Sequence, residues 1–210
     1  VAQEVPAPLL AAAFRFLIAG LVLAGFALAT EGSIPRPADG REWGIVSGLA
    51  VTGIFLYALC FFYGLRHIPA GRGALVVALN PVVVALAAWF VGQERMTPMK
   101  FAGIAIALAG CLTVIGNGDP LALLHGAVGI GEWLIVGCVL CWTAYTFIGR
   151  SATQTLSPLA ATLAASLIGA VLLGIAALVQ GGIAVGDWSW RVWASVLFLA
   201  VCGTALGFIG

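Results

Sequence analysis

PLLAAAFRFLIAGLVLAGFAL, residues 8–28, aligns without a gap on PLAATLAASLIGAVLLGIAAL, residues 158–178. The same offset of 150 residues brings WGIVSGLAVTGIFLYALC, residues 43–60, onto WASVLFLAVCGTALGFIG, residues 193–210. Matched pairs include Pro8/Pro158, Leu17/Leu167, Ile18/Ile168, Ala27/Ala177, Trp43/Trp193, Leu49/Leu199, Gly53/Gly203 and Leu56/Leu206. More than a third of the positions agree in each block. Chance agreement in so apolar a chain is about one position in ten, so this is an internal repeat. Five apolar spans separate equivalent positions. An odd number of crossings makes the second copy run through a bilayer in the opposite sense, the inverted-topology repeat of secondary transporters.

Composition agrees. Of 210 residues, 62% are hydrophobic and 8% charged, with a mean hydropathy of +1.14. A water-exposed surface cannot be built from so few charges, whereas a bilayer permits it. The net charge of +1 gives no reason to expect nucleic acid as a partner. Cys60, Cys111, Cys138, Cys141 and Cys202 all fall within apolar runs, where small packing thiols are expected and a secreted disulfide framework is not. Cys138 and Cys141 form a C-x-x-C in mid-span, away from a helix N-terminus that would activate it.

Seven stretches are long enough to cross as helices: residues 9–29, 43–64, 74–92, 99–116, 131–149, 158–179 and 190–210. Their connections are short and rich in Gly and Pro, so any activity resides between helices. The repeat predicts one further helix before Val1 and two beyond Gly210, giving ten spans in two inverted five-helix halves. The chain is then a fragment whose first repeat runs over residues 1–128 (helices 2–5) and whose second runs over 129–210 (helices 6–8). Arg36, Arg41, Arg95, Lys100 and Arg150 fall on one face, and Arg66, Arg72 and Arg191 on the other. The majority places the first group in the cytoplasm. Trp43, Trp133, Trp188, Trp190 and Trp193 lie near span ends, where an interfacial belt is expected.

From Trp43 to Ile115 the chain resembles the EamA family of the drug/metabolite transporter superfamily. The resemblance is carried by Leu56-Tyr57-Ala58-Leu59 leading to Tyr63-Gly64-Leu65, by Ala74-Leu75-Val76-Val77-Ala78-Leu79-Asn80-Pro81, by Gly92-Gln93-Glu94-Arg95, and by Gly103 with Ala109-Gly110. The second half shows it at Cys141-Trp142-Thr143-Ala144-Tyr145 and Gly203-Thr204-Ala205-Leu206-Gly207-Phe208. It implies an all-α polytopic membrane protein that transports a small metabolite across the bacterial inner membrane, with efflux the expected direction. It implies no cofactor and no metal, and a homodimer is left open.

The candidate site residues are few. Pro81 removes a backbone hydrogen bond in mid-span. Asn80 either caps the resulting break or faces a cavity. Trp142 and Tyr145 share a helix face with Cys138, either packing or stacking on a substrate. Tyr57 lies deep in a span on the face of Gly53, Cys60 and Gly64, where its hydroxyl needs a partner or water. Arg15, the one charge well inside a span, either snorkels to the surface or meets a substrate carboxylate. Glu94 is expected to pair with Arg95 or Lys100 and cap the next helix, and Gly203 to serve a structural role with Pro81. Thr162, Ser166 and Gly169 form a small stripe expected to pack. Gly44/Gly48 and Gly203/Gly207 are G-x-x-x-G pairs expected at close helix contacts.

The carboxylates (Glu4, Glu31, Asp39, Glu42, Glu94, Asp119, Glu132 and Asp187) and both histidines, His67 and His125, fall in loops or at span edges. The visible spans therefore offer no proton relay. An intramembrane enzyme is the rival reading, but Ser47 has no base within a span and no metal-ligand cluster lies at depth. A purely structural membrane subunit leaves the inverted repeat unexplained.

Overall fold

A computed structural model describes residues 7–115, 129–181 and 188–205, and among these the chain is helical with no strand. The elements are α1 (Pro8–Glu31), α2 (Gly40–Leu49), a first π-helical segment (Ala50–Leu56), α3 (Tyr57–Gly64), α4 (Ala70–Val77), α5 (Asn80–Phe90), α6 (Pro98–Ile115), α7 (Ile130–Ala152), α8 (Pro158–Val179), α9 (Trp190–Ala200) and a second π-helical segment (Val201–Ala205). Five uninterrupted or nearly continuous helices have membrane-spanning length and apolarity: 8–31, 40–64, 70–90, 130–152 and 158–179. Pro98–Thr113 and Trp190–Gly203 are shorter apolar helices within the remaining two expected spans.

Local chemistry sets the helix ends. Pro8 and Pro158 open α1 and α8, where a missing N–H costs nothing. Ser157 Oγ accepts the Ala160 N–H at 3.2 Å. Asp39 caps α2 by accepting the Glu42 N–H at 2.8 Å, while Glu42 reaches back to the Ala38 N–H at 2.6 Å. After α5, Gly92 takes the left-handed conformation (φ 74°), Gln93 N–H donates to Ala88 C=O at 2.8 Å and Gly92 N–H to Trp89 C=O at 2.9 Å. This paired closure ends the helix with its last carbonyls satisfied.

The helices form two compact units. The first contains residues 1–58 and 147–210, the second residues 59–146. In the first unit α1 packs along α8, the first π segment lies on α8 and the second on α1, α2 meets α8, and α9 meets α1. Moving each element by 150 residues exchanges α1 with α8, α2 with α9, and Val51–Phe55 of the first π segment with Val201–Ala205 of the second. Every one of these contacts then maps onto another in the set. That is the contact pattern of a pseudo-two-fold pair of copies, as the repeat predicts.

Small residues let the pair close. A Cβ placed on Gly20 would stand 2.8 Å from Leu167 Cδ2, and one on Gly169 would stand 2.5 Å from Ile54 Cγ2 and 2.8 Å from Ile54 Cβ. The Ser166–Gly169 part of the predicted stripe is thus a packing surface, with Ser166 fully buried. The G-x-x-x-G expectation is corrected. A Cβ on Gly44 would meet nothing, one on Gly48 would stand 3.4 Å from Ile148, and one on Gly203 would stand 3.8 Å from Leu199. Gly207 lies outside the described residues. The tight contacts of the first unit fall instead on Gly20 and Gly169.

In the second unit the end of α3 and the start of α7 approach closely. A Cβ on Gly64 would lie 3.2 Å from the Gly131 carbonyl oxygen, and one on Gly131 the same distance from that of Gly64. The third span breaks at Ala78–Leu79, and Pro81 sits in the first turn of α5. Proline removes the bond that would have engaged the Val77 carbonyl, so the interruption falls where the sequence predicts it.

Two outcomes follow from this packing. Gly169→Ala lowers thermal stability by about 1–3 kcal/mol, and adding Ile54→Ala restores part of it because the two side chains compete for one space; additive losses in the double variant contradict the contact. Cysteines placed at Ser33 and Gln180 react with an impermeant maleimide from opposite sides of the membrane; labelling from one side overturns the inverted orientation.

Candidate functional site

Two groups of candidate residues come together, one in each unit. In the first unit, Arg15 lies within electrostatic range of Tyr57. Arg15 is seven residues into α1 and Tyr57 seven residues before the end of α3. At 1.5 Å rise, Arg15 lies about 10 Å from the start of α1 and Tyr57 about 10 Å from the end of α3. The Arg15 guanidinium stands 4.6 Å from the centroid of the Phe16 ring. Its Nε is buried and has no hydrogen-bond partner. The residue as a whole is half-buried.

Beside it, Phe14 contacts Trp188 (5.9 Å between centroids) and Trp193 (5.4 Å), and those two indoles lie 5.2 Å apart. Trp188 is buried, not part of an exposed belt, and its Nε1 also lacks a partner. Trp43, Trp133 and Trp190 do project outward. The belt expectation fails at Trp188 because the ring fills the angle between α1 and the start of α9, a contact that distance from the span end does not reveal.

In the second unit, the Trp142 and Tyr145 rings are 5.3 Å apart and inclined by 32° on α7. Cys138, one turn earlier, is fully buried and interacts with Cys60 and Cys141. A Cβ on Gly137 would stand 3.2 Å from Cys60 Sγ. None of the three is in a disulfide, with Cys60 on α3 and Cys138 and Cys141 on α7. Asn80 occupies another place in this unit, the α4–α5 break. Its Oδ1 is buried and accepts no hydrogen bond, so it does not cap the break through that atom.

Two ion pairs brace the second unit. Lys100 Nζ meets Glu94 Oε1, so Glu94 pairs with Lys100, while the cap of α6 comes from Thr97 Oγ1 accepting the Lys100 N–H at 3.3 Å. Arg72 Nη1 lies 3.3 Å from Glu132 Oε1, and Glu132 Oε2 accepts the Gly129 N–H at 3.0 Å. Glu132 is only 5% exposed. The sequence reading left it at a span edge and missed its burial. The signal was its place in the first turn of α7, three residues after a glycine, where a carboxylate folds back on the helix start. Among the described residues no group of three or more His, Cys, Asp or Glu side chains is arranged to hold a metal ion.

The EamA-like transporter family matches residues 2–116 and 129–210. The uncharacterized transporter YyaM of Bacillus subtilis is 29% identical over 203 residues, which cover 96% of this chain and 66% of that protein. A probable terminal-alkyne amino-acid exporter of Streptantibioticus cattleyicolor is 28% identical, over 90% of this chain and 62% of its own length. The chain thus spans less than two thirds of these relatives. A solved crystal structure superimposes with a TM-score of 0.69 at 22% identity, covering 98% of this chain and 68% of the other. It shares the fold.

Removing one member of the buried pair leaves the other charge without its partner. Glu132→Gln is expected to cost about 3 kcal/mol or more of thermal stability. The double variant Arg72→Met/Glu132→Leu recovers most of the loss, measured by thermal unfolding in detergent; equal losses in both contradict a pairing role.

Proposed function

The chain belongs to the EamA-like transporter family, and we propose that it moves a small neutral or zwitterionic metabolite across the cytoplasmic membrane by alternating access, in the direction of efflux. The family match makes the chain a multi-pass integral membrane protein, and the transport role of the intact protein is our reading of it. The observation that carries this reading is the crosswise packing of inverted copies in the first unit, where α1 lies on α8 and each π segment lies on the other copy's helix. Pathways through such folds run where helices are interrupted, because freed backbone groups need polar surroundings. The α4–α5 break and the two π segments supply such interruptions.

The proposed substrate contacts are Arg15, Tyr57, Asn80, Trp142 and Tyr145. In the first unit the cation of Arg15 suits the carboxylate of an amino-acid-like solute, and in the second unit the Trp142 and Tyr145 rings offer apolar faces. The name of the Streptantibioticus relative supports that class. Residues 1–128 and 129–210 are the proposed division between the repeats. Catalysis forms no part of this reading.

The full-length protein in proteoliposomes is expected to take up label from a mixture of ¹⁴C-amino acids above protein-free vesicles. Tyr57→Phe, Asn80→Ala and Trp142→Ala are expected to reduce uptake about tenfold with unchanged yield. Uptake equal to wild type in all three removes the site assignment; no uptake by wild type removes the amino-acid reading.

A further inference from the structure

We propose that Arg15 and Tyr57 form a one-sided anion subsite that receives the carboxylate of the transported solute. The inference deepens, and rests on, the transport reading. Its starting point is a group whose position is costly without a ligand. Arg15 holds a full charge about 10 Å inside α1, and its Nε–H is buried with no acceptor. Both ion pairs found among the described residues, Arg72–Glu132 and Lys100–Glu94, use other cations. The Phe16 ring face offers some compensation to the charge but no acceptor for the N–H. A half-buried cation whose Nε–H is buried without an acceptor is unfavourable in the ligand-free state. A chain keeps such a group where a ligand completes it.

The chemistry of the ligand follows from the donors. Guanidinium only donates, and its Nε–H and one Nη–H form a fork that matches the two oxygens of a carboxylate. Tyr57, within range of the same charge, brings a hydroxyl that can donate to an anion. The single cation matches a monoanion and would leave a phosphate dianion half neutralised.

The repeat supplies an independent argument. The position equivalent to Arg15 is Ala165, and the position equivalent to Tyr57 is Gly207. Ala165 is buried, as the close contact between α1 and α8 requires. Helix packing at this position is therefore met by alanine, and packing alone does not explain arginine. Both polar groups occur in the first copy, and both equivalents in the second are small. The two copies form one contact surface but only one anion subsite.

The test uses the full-length protein in detergent, at constant ionic strength, with sodium benzoate as the carboxylate probe and benzamide as its neutral counterpart. Benzoate is expected to raise the melting temperature of wild type by about 3 °C at ten times its dissociation constant, and benzamide not to. Arg15→Ala, which copies the second repeat, is expected to abolish the benzoate shift and to leave the ligand-free melting temperature unchanged or higher. Arg15→Lys is expected to keep part of the shift. A benzoate shift that survives in Arg15→Ala, or is matched by benzamide, overturns the subsite. A large fall in the ligand-free melting temperature of both Arg15 variants assigns Arg15 to structure and overturns it as well. Uptake of ¹⁴C-amino acids by wild-type proteoliposomes is read separately. Its absence removes the transport reading, while the benzoate experiment still decides the subsite.

Discussion

Helices already in hydrocarbon gain little by excluding lipid from one another, so their association depends on how closely their backbones approach. In this chain that approach is concentrated on α8, half of whose span is buried. Its buried face combines alanines, Ser166 and Gly169 with Leu163 and Leu173, and Gly169 leaves room for the β-branched Ile54 of the first π segment. The α1 face is of the same kind, with Ala12, Ala13, Ala19 and Gly20 buried. Around these small residues Leu23 of α1 packs with Leu159, Leu163 and Leu167 of α8, so the copies are held by fitted apolar contacts.

Close packing also explains where the helices depart from regularity. The first π segment crosses α8 at Ile54, and its repeat equivalent lies on α1. A π turn admits one additional residue and leaves a carbonyl without its usual donor. At the join of α2 with the first segment, Thr52 Oγ1 donates to the Gly48 carbonyl at 2.7 Å. Recurrence of the interruption after 150 residues, with glycine at 53 and at 203, marks it as a property of the repeat. The α4–α5 break has a different cause: Pro81 cannot donate, and the chain turns at the two residues just before Asn80.

Much of this was legible in the sequence because it follows from periodicity and residue chemistry. The offset of 150 residues, the apolar spans and the proline break needed no coordinates. Contacts between distant helices were not legible. G-x-x-x-G spacing pointed to Gly44 and Gly48, yet Gly20, Gly64, Gly131 and Gly169 are among the crowded glycines, and their partners lie far along the chain. Local spacing states that a helix has a small face, but not that another helix reaches it. Glu132 and Trp188 were placed at span ends for the same reason. Their burial is decided by Arg72 in one case and by Phe14 and Trp193 in the other. Of the candidate site, residue types were legible and neighbours were not. Burial of the Arg15 Nε is a tertiary property that neither motif nor spacing carries.

A fold made of two equivalent copies has no intrinsic preference for a ligand's orientation. A solute with a charged end and an apolar end does have one, so recognition must break the symmetry that packing maintains. The cheapest place to do so is a position where the partner copy's small residue leaves room beside it. In the sequence, Arg15 and Tyr57 are matched 150 positions later by the small residues Ala165 and Gly207. On the proposed reading the unpaired Arg15 Nε–H weakens the ligand-free state, and a bound carboxylate would return that loss as affinity. The symmetric contacts between α1 and α8 must then be strong enough to carry this local loss, and the density of small residues along both helices is what gives them that reserve.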